Sequence, residues 1–353
     1  MRHPPTIQDV AGALGMHKST VSLALSGKGN VSAATRQRVR TAARELGYEP
    51  NPVAQRLATG LNNDTVCLFS GGIDVGLVAA KLYLLQQELC ARALDVPLYT
   101  GHEPSEGRGE AQAVRISQLC RQRPRAIVCA THRVHPAVFP ELQGYQRAGG
   151  IVVSYDSPVP LACDQVIFDR EDNAYQAARH LLECGHRRVG LGFSILPGYS
   201  PDAPGDPQNT RLRGFRRALA EWGAPVRDEW LFRLPTYEQG GAEMARRFLQ
   251  LRDRPTGLCI VNDYVALAFM VEVMREGVRV PEDVSIVGHD NQTIASYCPV
   301  PLTSVSQPAE RIVAATVEML LDRIENGVAA APRTRTIRGE LVRRDSVAAV
   351  GEP

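Results

Sequence analysis

Lysine is nearly missing from this chain. It occurs three times, as Lys18, Lys28 and Lys81, against 37 arginines, a bias that reflects a GC-rich coding sequence and carries no mechanism. No run of about 18 apolar residues occurs, which excludes a spanning helix, and the opening MRHPPTIQDV has no apolar core of a secretion signal. Both absences place the chain in the cytoplasm. The eight cysteines stand apart without CxxC or metal-type spacing, so neither a disulfide framework nor a metal site is expected. The nucleophile elbow, P-loop, dinucleotide fingerprint and HExxH pair are all missing. No catalytic residue, cofactor or enzymatic activity is therefore predicted.

What is present is a chain of 353 residues, 44% hydrophobic and 22% charged, long enough for two or three domains. Its net charge of +2 hides an asymmetry. Residues 1–60 hold eight Lys/Arg against Asp9, Glu45 and Glu49, a net of +5, while the remainder carries −3. A small basic head on a mildly acidic body is the layout of a nucleic-acid reader joined to something else.

The head reads as three helices. Thr6 caps the first, with Asp9 at its third position and Ile7, Val10, Ala11 and Leu14 along one face, and Gly15 stops it. After a tight connection, KSTVSLALSG follows. At ~100° per residue, Val21, Ala24 and Leu25 line one side, and Lys18, Ser19, Ser22, Leu23 and Ser26 the other. A merely solvated face carries long charged side chains, whereas this one carries hydroxyls short enough to let the backbone approach base edges and phosphates. Leu23 is suited to a thymine methyl. Ser32 caps a third helix with Val39, Ala42, Ala43 and Leu46 inward and Gly47 as its stop. The arrangement is a helix-turn-helix, whose second helix enters the major groove.

The identities Thr6-Ile7-x-Asp9-Val10-Ala11, Thr20-Val21-Ser22, Val31-Ser32-x-x-Thr35-Arg36-x-Arg38-Val39 and Leu46-Gly47-Tyr48-x-Pro50-Asn51-x-x-Ala54-x-x-Leu57 resemble the lac-repressor (LacI/GalR) family of bacterial transcription regulators. The resemblance implies operator contacts from Thr6, His17, Lys18, Ser19, Ser22, Leu23, Ser26, Asn30, Ser32 and Thr35, with Lys18 and Ser19 on bases. It also implies a hinge over Pro50–Ala58 in which Ala54 and Leu57 reach the minor groove and Leu57 wedges a base step. His17 stands where that family usually has a Ser cap, and Leu23 where a reader is often Arg.

Beyond Asn62-Asn63-Asp64, buried strand patterns (TVCLFS, DVPLYT, RAIVCA, GIVVSY, RRVGLGF, GLCIVN, VSIVGHD) alternate with helical stretches. That rhythm predicts parallel sheets flanked by helices, in two doubly wound lobes of the periplasmic-binding-protein type. The expected organisation is a head over 1–50, a hinge and linker over 51–61, an effector and dimerisation domain over 62–346, and a tail over 347–353. Its lobes are expected at about 62–167 plus 309–332, and 168–308 plus 333–346. Ligands in such folds lie beyond the carboxyl ends of the strands.

The resemblance continues through His180-Leu181-Leu182-x-x-Gly185-His186-Arg187-Arg188-Val189, Arg211-x-x-Gly214-Phe215, Asn262-Asp263, Pro281-x-Asp283-Val284-Ser285-Ile286-Val287-Gly288-x-Asp290-Asn291, Pro301-Leu302-Thr303 and Leu341-x-x-Arg344-x-Ser346. Gly185 and His186 read as architectural. By resemblance, Arg211, Asn262, Asp290 and Asp156 hold the hydroxyls of a sugar or the edge of a nucleobase. Tyr237 and Phe168 match aromatic walls, with Gln307 and Ser70 completing the set. An Arg fork opposite carboxylates suits adjacent hydroxyls. The expected function is a ligand-responsive repressor on a near-palindromic operator, its effector a sugar and its partners DNA, that effector and a second copy of the chain. The chain ends soon after Arg344 without leucine heptads, so a dimer is expected. The rival readings are a sugar receptor of the periplasmic type, and a regulator that needs a purine corepressor.

Overall fold

A computed structural model describes residues 5–26, 31–48, 62–73, 76–101, 108–131, 134–194, 207–234, 238–327 and 331–350. The chain divides into two compact units, Met1–Asn62 and Asn63–Pro353.

The first unit holds α1 (Ile7–Leu14), α2 (Lys18–Ser26) and α3 (Ala33–Glu45). The Asp9 carboxylate accepts from both the Thr6 amide and the Thr6 hydroxyl, at 2.6 and 2.7 Å, which fastens the start of α1 and holds the Asp9 carboxyl below its usual range. Gly15 turns the chain out of α1 with φ +60, a conformation that glycine adopts without a Cβ penalty. Ser32 caps α3 by accepting from the Thr35 amide at 3.2 Å. Val10, Ala11, Val21, Ala24, Val39, Ala42 and Ala43 form the core. Lys18, Ser19, Ser22 and Leu23 are exposed, as the two-faced pattern of α2 requires.

The second unit holds two six-stranded sheets. The first is built from β1 (Asn62–Ser70), β2 (Leu98–Thr100), β3 (Pro124–Ala130), β4 (Ile151–Asp156), β5 (Asp164–Phe168) and β11 (Thr334–Ile337), in the order β11-β5-β4-β3-β1-β2. The second comprises β6 (Val189–Ser194), β7 (Leu231–Leu234), β8 (Gly257–Ile260), β9 (Ser285–Asp290), β10 (Thr303–Ser306) and β12 (Leu341–Val342), in the order β12-β10-β9-β8-β6-β7. Neighbouring strands run parallel through β3-β4-β5-β11 and through β7-β6-β8-β9-β10, and β12 closes the second sheet antiparallel to β10. Helices α4 (Leu77–Cys90), α5 (Arg108–Arg121), α6 (Phe139–Arg147) and α11 (Ala309–Asn326) belong with the first sheet. Helices α7 (Arg170–Glu183), α8 (Pro207–Glu221), α9 (Glu238–Gln250) and α10 (Asp263–Arg275) belong with the second.

The chain crosses between lobes three times: at Asp169 between β5 and α7, at Gln307-Pro308 between β10 and α11, and at Arg338–Glu340 between β11 and β12. Two boundaries differ from the sequence reading. Phe168 ends β5 and residues 334–337 form the edge strand β11, so both belong to the first lobe rather than the second. The reason is pairing: the Thr334–Ile337 backbone completes the exposed edge of β5 before the chain crosses back.

Candidate functional site

Both sheets bring polar residues to the carboxyl ends of their strands, where the three crossings also lie. Asp156 closes β4 with φ +100 and is 2% exposed. Its Oδ1 receives Lys81 Nζ from α4 at 3.0 Å and Gln307 Nε2 from the second crossing at 2.9 Å. Its Oδ2 pairs with the Arg170 guanidinium at 3.0 Å, and the same guanidinium donates to the Asp156 carbonyl at 2.8 Å. Asp156 is thus held from its own lobe and from two of the crossings. A carboxylate this buried persists only when paired and hydrogen-bonded.

Asp290 closes β9 with φ +93, and its carbonyl accepts from the Gln307 amide at 3.3 Å. Burial raises its carboxyl, while Arg211, Lys81 and Arg170 pull it down and Asp156 pushes it up. The cations of both lobes and the two strand-end carboxylates therefore share one electrostatic neighbourhood. Arg211 is half-buried and stands one turn inside α8.

The remaining candidates serve the scaffold in varying degrees. Asn262 Oδ1 caps α10 by accepting from the Val265 amide at 2.9 Å. Asp263 is fully buried, accepting from Ser304 Oγ and from the Gln292 amide, each at 2.7 Å. Burial, reinforced by Asp290, lifts its carboxyl to about 8. Ser70 turns its hydroxyl back to the Gly72 carbonyl at 2.7 Å. Phe168 is packed into the first lobe's core with Val166, because alternate residues of β5 face α4 and α11; the Arg170 guanidinium sits 5.5 Å from its ring centre. Its ring is core rather than an exposed cleft wall. Tyr237, Asn30, Ala54 and Leu57 lie outside the described residues, as do the hinge and residues 195–206, and the Ser26 side chain is not described. His186 is architectural, bridging Thr256 Oγ1 at 2.9 Å and the Ala348 carbonyl at 3.1 Å.

Sequence reasoning missed Lys81 and Arg170. A signal for the first existed: Lys81 is the one lysine after residue 28, set in the apolar run LVAAKLYLL. Arg170 carried none, being one arginine among 37.

A helix-turn-helix with a short-chained outer face, carried with a two-lobed α/β unit whose strand ends gather charged groups from both lobes, defines a DNA-binding regulator that answers to a small ligand. Residues 6–51 match the model of bacterial regulatory proteins of the lacI family, and residues 178–347 match the periplasmic binding protein-like domain. The chain is 27% identical over 321 residues to the HTH-type transcriptional repressor PurR of Aliivibrio salmonicida (strain LFI1238), covering 91% of this chain and 92% of that one. It is similar to the transcriptional regulator CelR in its cellobiose complex, with TM-score 0.69, 26% identity and coverage of 97% and 99%. It shares its fold with the lac repressor dimer bound to operator and the anti-inducer ONPF, with TM-score 0.80, 22% identity and coverage of 98% and 100%. The chain therefore carries a DNA-binding domain of the lacI type followed by a periplasmic binding protein-like domain. It is a ligand-responsive transcription regulator and not an enzyme.

Proposed function

We propose that this regulator represses transcription in the cytoplasm as a homodimer, each copy placing α2 in the major groove of one half of a near-palindromic operator. Lys18 and Ser19 face bases, Leu23 faces a thymine methyl, and Thr6, His17, Ser22, Ser26, Asn30, Ser32 and Thr35 flank them. Ala54 and Leu57 act from the hinge. Two-fold symmetry matches two heads to two half-sites.

The effector we assign is a sugar, taken between the lobes by Arg211, Asp290 and Asn262, with Asp156, Gln307, Ser70 and Tyr237 around it. One observation carries this: Gln307 ties the end of β9 at Asp290 to Asp156 of the first lobe, with the partly buried Arg211 acting on the Asp290 carboxylate, and a guanidinium beside carboxylates suits vicinal hydroxyls. The similarity to CelR in complex with cellobiose supports it. A purine corepressor is the second reading, favoured by the similarity to repressors named PurR. A thermal-shift screen over sugars and nucleobases separates the two, since selective binding to the folded state raises the melting temperature. A sugar should raise it and alter the affinity for a palindrome from the upstream region of the protein's own gene. A response to nucleobases alone would refute the sugar assignment.

A further inference from the structure

The start of α2 contains a hydrogen bond that decides what its outer face can read. His17 is the residue before the helix, its carbonyl accepting from the Thr20 and Val21 amides at 2.9 and 3.2 Å. Its Nδ1 lies 2.8 Å from Ser19 Oγ and 3.5 Å from the Ser19 amide nitrogen. An amide N–H only donates, so Nδ1 must carry the lone pair and the ring proton must sit on Nε2. The opposite tautomer would point two N–H groups at each other. With its lone pair facing Ser19, Nδ1 accepts a hydrogen bond that the Ser19 hydroxyl donates.

That choice removes a freedom. An unconstrained serine hydroxyl rotates to donate or accept as its partner requires and therefore tolerates any base. In the major groove, adenine N6 and cytosine N4 donate, whereas guanine O6 and thymine O4 accept. Once its proton is committed to His17, Ser19 presents only lone pairs outward. Both side chains are exposed, and among the described residues their side-chain hydrogen bonds are those between His17 and Ser19.

We propose that His17 makes Ser19 an acceptor-only reader, so that each operator half-site carries an amino-bearing base, adenine or cytosine, opposite Ser19. His17 is the positioning residue and Ser19 the contact. The proposal rests on the reading above that α2 enters the major groove.

The test measures affinities of the full chain for a half-site library at one fixed salt concentration, because phosphate contacts make absolute affinities salt-dependent. The readout is the ratio of affinities for amino and keto bases at each position, in which any loss of active protein cancels. The natural sequence should show one position per half-site where a keto base weakens binding about tenfold, the usual cost of one mismatched pair. His17→Ala should reduce that ratio to within about twofold at the same position that Ser19→Ala equalises. His17→Ser, which restores a side-chain cap to α2, should do the same. Lys18→Ala should weaken binding to every library member. If Lys18→Ala weakens binding while both His17 variants keep full discrimination, or relax a different position from Ser19→Ala, the proposal is overturned and the placement of α2 stands. If none of the four variants changes binding, both fall.

Discussion

Asp263 offers the sharpest check on the second lobe, because its burial makes a prediction with a definite sign. Its carboxyl is raised from 3.8 to about 8, first by burial and then by Asp290. A folded-state value above the unfolded one means that the native protein holds a proton which the unfolded chain releases. Stability is then highest below the unfolded value and is lost as pH rises towards the folded one. One unit is worth ~1.4 kcal/mol, so between pH 5 and pH 8 this carboxyl should cost the native state about 4 kcal/mol. Asp263→Asn keeps the shape and can accept from the Gln292 amide while donating to Ser304 Oγ, but it carries no proton to lose. Thermal melts of both proteins at pH 5, 6, 7 and 8 should therefore diverge. The natural protein should fall by about 10 °C more than the variant across that range, taking 2–4 °C per kcal/mol for a chain of this size. His180, His186 and His289 act in the opposite sense. Burial lowers each, that of His289 to about 4, so they contribute stability that is present above the unfolded histidine range and lost as pH falls. They are common to both proteins and cancel in the difference. Parallel profiles would refute the assignment of a neutral, buried Asp263.

Two further substitutions probe the scaffold. Asp156→Asn leaves Lys81 and Arg170 buried against an amide, and should cost about 3–5 kcal/mol in chemical denaturation; adding Lys81→Met should recover part of that loss, and a cost near zero would show that the ion pairs are weak. Gly214→Ala places a Cβ 1.9 Å from the Glu171 carbonyl oxygen, so α7 and α8 must separate; a loss of about 1–3 kcal/mol or more is expected, measured by the same denaturation.

Much of this architecture could be read from short-range pattern. The caps at Thr6 and Ser32, the inward positions of α2 and the apolar runs that became β1, β3, β4, β6, β8 and β9 all depend on neighbours within a few residues. What escaped the reading depends on partners far away in the chain. Asp164 is buried between Arg323 and Arg333, with contacts at 2.6 Å to each, and no local pattern links positions some 160 residues apart. β11 and β12 have four and two residues, too few to show alternation, so the third crossing was placed a few residues early. Asn262 shows a different ambiguity: a polar side chain at a strand end is equally suited to a ligand or to the first free amides of the next helix. Its bond to the Val265 amide reveals the second role without removing the first.

The position of Gln307 sets how a ligand taken between the lobes, as proposed, would reach the rest of the molecule. Its amide donates to the carbonyl of Asp290, which ends a strand of the second lobe, and its side chain donates to Asp156, which ends a strand of the first. Arg170, at another crossing, grips the same Asp156 through both its carboxylate and its carbonyl. A change in the angle between the lobes is absorbed at crossings such as these, so it must stretch one of these bonds or carry Asp156 and Asp290 along together. A ligand shifts that angle only by binding one arrangement more tightly than the other. Contact with Arg211 and Asp290 alone, both in the second lobe, provides no such difference. Contact that also draws on the Asp156 cluster does, because only then does the ligand's binding energy depend on where the first lobe stands.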